Sequence, residues 1–268
     1  MFINKNKNQS INIDNKKIYL FLNFVFTLIN ILIVFFATNL QSNAQQLKLS
    51  NWQVHTSMFD VRSSTVDSQG RVWLGTTGGV VIYDIINKDT VLLNHLNGLI
   101  SSDIRKICSI PEQKLLVAGA SDGVLELINE DLSMFHITGI RDHGLSNSTI
   151  NDIVVYNNKI YIAGGWGLAE FDFVEKIFTA TVETMGNFQK NTAVNNILIH
   201  NDSLWVSTAY GIAVVPLSEK INISKNWKNF VYDSVDDSKE AQIIMSAQII
   251  ENANNIYVNF GKSICLFN

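Results

Sequence analysis

The stretch Val66–Asp84, VDSQGRVWLGTTGGVVIYD, decides how this chain reads. A polar turn, Asp67-Ser68-Gln69-Gly70, leads into a run centred on Trp73, and a small-residue loop ending in Gly79 leads into a second apolar run. Asp and Gly make tight reversals cheap, whereas β-branched and aromatic residues suit a pleated, packed strand. The same pattern returns in SIPEQKLLVAGASDGVLELI (Ser109–Ile128), VYNNKIYIAGGWGLAEFD (Val155–Asp172), IHNDSLWVSTAYGIAVVPL (Ile199–Leu217) and IENANNIYVNFGKSICLFN (Ile250–Asn268). The bulky strand centre is Trp73, Leu116, Tyr161, Trp205 and Tyr257 in turn. Gly79, Gly123, Gly167 and Gly211 recur every 44 residues, with Ser263 in the fifth place.

Working outward, each turn is preceded by another apolar run, beginning at Val61, Ile104, Ile153, Ile197 and Ile249. Each glycine strand is followed by a more polar run, such as Ser133–Thr138 or Trp227–Tyr232. Four strands in 44 residues is the size of one β-propeller blade. The expected class is therefore all-β, a propeller of about five four-stranded blades over residues 45–268. A helical solenoid has a similar period, but these apolar residues come in short runs without a 3.6 repeat. A β-sandwich leaves the regular period unexplained. The fifth repeat stops after its third strand, and Trp52–Met58 (WQVHTSM) reads as an unclaimed fourth strand. Two expectations stay open: a five-bladed ring closed by that strand, or a piece of a larger ring.

The first 44 residues read as an address. Lys5, Lys7, Lys16 and Lys17 precede the apolar run Ile18–Ala37, and Ser42-Asn43-Ala44 offers small residues for cleavage. That order is the pattern of a secretory signal, although the run is also long enough for an uncleaved anchor. Both readings put the remainder outside the cytoplasm, in the periplasm or at the cell surface, with no membrane association after cleavage. The formal charge of -4 gives no basic face for nucleic acid. Cys108 and Cys265 lie in apolar runs without metal-ligand spacing; they read as two free thiols or one disulfide. His55, His95, His136, His143 and His200 form no HExxH, and no nucleophile elbow, Walker loop or EF-hand occurs. The chain is expected to need no metal or cofactor and to bind rather than catalyse. A glycan-active enzyme is the weaker alternative, because paired carboxylates cannot be recognised from sequence alone.

The stretch VDSQGRVWLGTTGGVVIYD with the following LNHLNGLISSDIRKI closely resembles the two-component regulator propeller repeat. Asp67, Gly70, Trp73, Gly75, Thr76, Gly79, Gly98, Leu99 and Ile104 match its pattern. The second linker keeps Gly144-Leu145-Ser146-Asn147, whereas the third loses the leucine. The resemblance covers roughly residues 52–268. It implies an extracytoplasmic recognition module, since such repeats occur in periplasmic sensor halves of hybrid histidine kinases and in secreted bacterial proteins, including one linked to type IX secretion. The kinase itself is not implied, for no H-box-like helix or nucleotide-binding segment is present. A docking scaffold within a larger secreted protein is the alternative.

Two sets of residues follow as candidate sites. Asp60, Asp103, Asp152, Asn196 and Gln248 stand before the innermost apolar runs and would form a polar ring at the channel mouth. Turn-capping bonds to nearby backbone are their plainer role. With strands alternating up and down, the blade-to-blade linkers share a face with the loops between second and third strands. That face gathers Asn94, His95, Arg141, Asp142, His143, Trp166 and Tyr210. Aromatic surface beside hydrogen-bonding groups suits a carbohydrate, peptide or protein partner. Trp166 and Tyr210 hold equivalent positions in adjacent blades and are expected to be neighbours, or else to pack between blades.

Overall fold

The computed structural model describes residues 11–38, 57–231, 248–252, 255–259 and 264–267. Contacts divide the chain into two units, Met1–Trp52 and Gln53–Asn268. In the first, the apolar run lies within helix α1, Ile11–Thr38. Its polar residues satisfy themselves on the helix backbone: Asn30 Nδ2 donates to the Phe26 carbonyl at 2.7 Å, and Thr27 Oγ1 to the Phe24 carbonyl at 3.1 Å. Among the described residues, no helix is long and apolar enough to cross a membrane. The expected cleavage site, Ser42–Ala44, lies outside the described residues.

The second unit is all-β. The first sheet comprises β1 (Val61–Val66), β2 (Val72–Thr76), β3 (Gly79–Asp84) and β4 (Asp89–Leu93). The second holds β5 (Ile104–Ile110), β6 (Leu115–Ala120), β7 (Leu125–Asn129) and β8 (Met134–Ile137). The short helix α2 (Gly139–Asp142) leads to β9 (Ile150–Tyr156), β10 (Lys159–Gly164), β11 (Gly167–Asp172) and β12 (Ile177–Val182). The fourth sheet is β13 (Val194–His200), β14 (Ser203–Thr208), β15 (Gly211–Pro216) and β16 (Lys228–Val231). β17 (Gln248–Asn252), β18 (Asn255–Asn259) and β19 (Ile264–Phe267) form a fifth. Every sheet is ordered as in the sequence, with antiparallel neighbours.

The first strands pack in succession, β1 on β5, β5 on β9, β9 on β13 and β13 on β17. The core lies between the sheets. Trp73 and Ile82 of the first meet Ile104, Leu116 and Ile128 of the second; Val117 and Leu127 of the second meet Ile160, Ile162 and Phe171 of the third. Small residues in second strands let the next blade approach. A Cβ on Gly75 would lie 2.8 Å from Ile104 Cγ2, and one on Gly119 2.6 Å from Ile150 Cγ2. This is a propeller-like arrangement of four-stranded sheets, as expected. Of the proposed closing strand, Trp52–Thr56 lies outside the described residues. Ser57 and Met58 lie against the β2–β3 turn of the first blade, where Thr77 Oγ1 donates to the Ser57 carbonyl at 3.2 Å.

Two repeat assignments need correction. The counterpart of Trp73, Tyr161 and Trp205 is Val117, not Leu116. Each of these lies three residues before the end of its strand and faces the following blade, whereas Leu116 faces the first blade. Gly79, Gly167 and Gly211 each begin a strand directly opposite the end of the previous one. Gly123 does not. The β6–β7 connection has four residues, 121–124, where the first, third and fourth blades have two, so this glycine sits in the turn instead.

The turn before Trp73 is fastened by one carboxylate. Asp67 accepts from Trp73 Nε1 at 2.7 Å, Arg71 Nε at 2.6 Å and the amides of Gln69 and Arg71, both at 2.9 Å. Glu130 of the next blade reaches back to Ser68 N at 2.9 Å and Gln69 Nε2 at 3.0 Å, locking the two blades at this end. Burial raises the Asp67 pKa, but the bonds from Trp73, Arg71 and Gln69 outweigh it and hold the carboxyl below its ordinary 3.8. A depressed carboxyl stabilises the fold above its unfolded pKa, and that contribution fades as pH falls through the folded one. Urea midpoints are therefore expected to drop from about pH 4 downward, and Asp67→Asn to flatten this part of the profile. An unchanged profile in the variant would assign the acid sensitivity elsewhere.

Candidate functional site

The expected polar ring resolves into two levels. Asp60 and Asp103 immediately precede β1 and β5, as read from the sequence. Asp152 and Asn196 instead lie inside β9 and β13, beside Ala163 and Ser207. Their counterparts in the first two blades are Ser63 and Lys106, opposite Gly75 and Gly119. Gln248 opens β17, and nothing of its side chain is described.

At the first level, Arg62 lies between the two acids, 3.4 Å from Asp60 Oδ2 and 3.5 Å from Asp103 Oδ1. At the second, Ser63 Oγ accepts from Ile107 N at 3.1 Å. Lys106 Nζ meets Asp152 Oδ1 at 2.7 Å, and Asp152 Oδ2 accepts from Asn196 Nδ2 and, at 2.9 Å, from Ile197 N. Asp152 is only 3% exposed. A buried carboxylate is stable only when paired and hydrogen-bonded, and this one receives both across two blade junctions. The described polar residues thus link adjacent inner strands across blade junctions, a role the sequence reading did not include. Cys108, on the same strand as Lys106, is a free thiol whose pKa burial pushes up to about 12, which leaves it a poor nucleophile.

On the linker face, Asn94 caps a single 3-10 turn by accepting from Leu96 N at 2.8 Å. His95 spends both ring nitrogens internally, at 2.9 Å from the Leu99 carbonyl and 2.9 Å from Ser102 Oγ. Arg141 pairs with Asp142 at 3.3 Å and lies 4.0 Å from Asp122. The Thr138 hydroxyl, and then Arg141, hold the exposed Asp142 carboxyl below its ordinary range. Trp166 is 5% exposed and folds over Gly164, where any Cβ would fall 1.9 Å from the indole. Tyr210 is 49% exposed and tilts against Phe188, centroids 6.3 Å apart. The two rings thus pack on different linkers, Trp166 with Ile140 and Leu145 and Tyr210 with Phe188.

The structure does bring His143 to Trp166. Helix α2 and the residues after it cover the outer part of the third blade and leave a pocket of about 200 Å³. Ile140, Leu145, Trp166 and Phe178 line it with apolar surface, and His143, Thr181, Glu183 and Asn191 give it a polar border. His95 and Tyr210 do not line it.

Sequence reasoning missed two buried acids, Glu126 and Glu170, in corresponding third strands β7 and β11. Glu126 is fully buried and accepts from Ile100 N at 2.9 Å and from His136 Nδ1. Glu170 is held by Lys159 Nζ and Thr179 Oγ1 and faces the fourth blade. Their signal was present, an acid interrupting the apolar runs LELI and LAEF, although Glu126 lies opposite Ala118 and Glu170 opposite Tyr161, so the two face different blade junctions.

The packed four-stranded sheets give the chain an all-β, propeller-like fold. More particularly, residues 72–193 match the family described as the N-terminal β-propeller domain of PorZ, of the type IX secretion system. PorZ of Porphyromonas gingivalis, a bacterial surface component of that system, superposes with a TM-score of 0.61 at 17% identity over 80% of this chain and 29% of that one. The extracellular domain of a hybrid two-component system of B. thetaiotaomicron gives 0.61 at 16% identity over 81% and 30%. That of a one-component system from the same organism gives 0.62 at 18% over 80% and 28%. These identities establish likeness of fold, and the chain spans less than a third of each of these proteins. No curated protein matches it. The resemblance to regulator and secretion-associated propellers holds.

Proposed function

We propose that this chain works outside the cytoplasm as a recognition propeller, in a type IX secretion or periplasmic sensing context, and engages a protein partner without transforming it. The observation that supports this reading is the His143–Trp166 pocket. Its apolar floor and polar border suit one anchoring side chain of a partner better than an extended glycan. The family match over residues 72–193 and the similar fold of surface and extracellular domains support the location.

The test places a photo-crosslinking amino acid at His143 in the full chain, expressed in its own cells, with Ile86, 82% exposed, as control position. A discrete envelope adduct from position 143 and none from position 86 is the expected result. Equal labelling from both positions, or accumulation of the chain in the cytosol, would overturn the reading.

A further inference from the structure

Outer strands of a propeller leave one side of the backbone unpaired, and proteins ordinarily blunt such edges with charge, proline or brevity. The outer strands of the first, second and fourth blades follow this rule. β4 opens with Asp89, β8 has only four residues, and β16 is equally short and opens with Lys228. β12, IFTATV, has none of these three, and only a bulge at Thr179 interrupts its edge. It runs six residues without a charge or a proline, and its β-branched content favours strand pairing.

Its side chains serve two faces of the blade. Phe178, opposite Phe171, and Thr181, opposite Ala169, point toward the second blade. Ala180, opposite Glu170, and Val182, opposite Leu168, point toward the fourth. The irregularity between them puts Thr179 on the fourth-blade side as well, with its hydroxyl on Glu170. Each face opens onto a cavity. Toward the second blade lies the mainly apolar pocket at Trp166. Toward the fourth lies a cleft of about 770 Å³ bordered by Lys159, Thr179, Lys220 and Asn222, and a further cleft of about 360 Å³ shares Asn222 and adds Thr184 and Ser224. An open strand edge with pockets on both faces is the requirement for recognising an added strand: main-chain bonds supply affinity, and alternate side chains supply specificity.

We propose that β12 receives an extended peptide segment as an additional strand, with side chains alternating between apolar ones for the Trp166 pocket and polar ones for the Lys159–Asn222 cleft. The Trp166 pocket is shared with the recognition reading above. The open edge and the polar clefts are independent of it.

The probe is a fluorescein-labelled peptide of about ten residues alternating leucine and serine, titrated into the full chain. Two further peptides carry N-methyl groups on all leucines or on all serines, each removing the donors on one edge. The unmodified peptide is expected to bind, and one methylated form to lose at least about tenfold while the other keeps its affinity. Hydrogen exchange of residues 177–182 is expected to slow on binding. Thr179→Lys, which adds the missing edge charge but gives up the hydroxyl bond to Glu170, is expected to weaken binding at least about tenfold while the chain keeps a cooperative melting transition at a somewhat lower temperature. Absence of binding, equal binding by both methylated forms, or protection confined to other residues overturns the proposal. These readouts do not depend on Thr179→Lys folding. The crosslink from position 143 is scored separately: its presence without peptide binding sinks strand addition alone, and its absence with peptide binding sinks the recognition reading alone.

Discussion

Replacing Trp73 by alanine is expected to lower the unfolding free energy by about 4 kcal/mol, near the upper end for a buried aromatic. Trp73 is fully buried in the cluster joining the first two blades, against Ile104, Leu116 and Ile128. Removal of the indole leaves a cavity at a junction where both walls are sheets, which cannot collapse without moving a whole blade. It also deletes the 2.7 Å bond to Asp67, whose side chain is itself buried and would then rely on Arg71 and two amides. Trp73→Phe separates the two contributions. It keeps most of the packing and loses the charge-assisted bond, so a cost of about 1.5–3 kcal/mol is expected. Urea denaturation of the full chain measures both. An alanine cost below about 1.5 kcal/mol would mean that the junction relaxes, and the picture of rigid sheets locked by one large side chain would fail.

The same residue shows why so much of the fold was legible. Trp73, the Asp67 turn and the Thr76–Gly79 loop are local features, and the aromatic strand centre and threonine–glycine loop recur in the fourth blade as Trp205 and Thr208–Gly211. Strand pairing within a blade follows from such local signals, because antiparallel neighbours are joined by short turns. What failed was parity and register. Inner strands β1, β5 and β13 carry an irregularity near their first residues, and in β9 it lies opposite the end of β10. An extra residue there shifts which face each later side chain meets. Asn151-Asp152 and Asn195-Asn196 therefore look like turns in the sequence, yet they lie within strands that begin at Ile150 and Val194. The longer loop 121–124 hid the displacement of Gly123, because the second strands kept their 44-residue spacing around it. The candidate site was legible only in part. The linker face could be named from strand alternation, and His143 and Trp166 do meet on it. The clefts along β12 depend on the approach of the β15–β16 loop from another blade, a distance no local pattern encodes.

Gly167→Ala is the second change expected to cost heavily, about 3 kcal/mol, while Gly70→Ala costs about 1 kcal/mol. Both glycines have positive φ, but the reasons for the difference are visible. Gly70 has φ +78° and open space where a Cβ would stand, so only the left-handed penalty applies. Gly167 has φ +130°, outside the region that side-chain-bearing residues adopt, and a Cβ would lie 2.4 Å from the Val182 carbonyl oxygen. Gly79 and Gly211 repeat the arrangement at φ +135° and +137°, facing the Leu93 and Phe230 carbonyls at 2.1 and 2.2 Å. In both of those blades a threonine completes the loop: Thr76 Oγ1 and Thr208 Oγ1 donate to the carbonyls of Gly79 and Gly211 at 2.9 and 3.0 Å. The obstructing atom is backbone in each case and cannot swing away as a side chain would. In the third blade that carbonyl belongs to the last residue of β12. Gly167→Ala must therefore displace the end of the open edge strand, and the melting temperature and the binding of the leucine–serine peptide are expected to fall together. A variant that lost stability but bound the peptide unchanged would show that the added strand does not reach Val182.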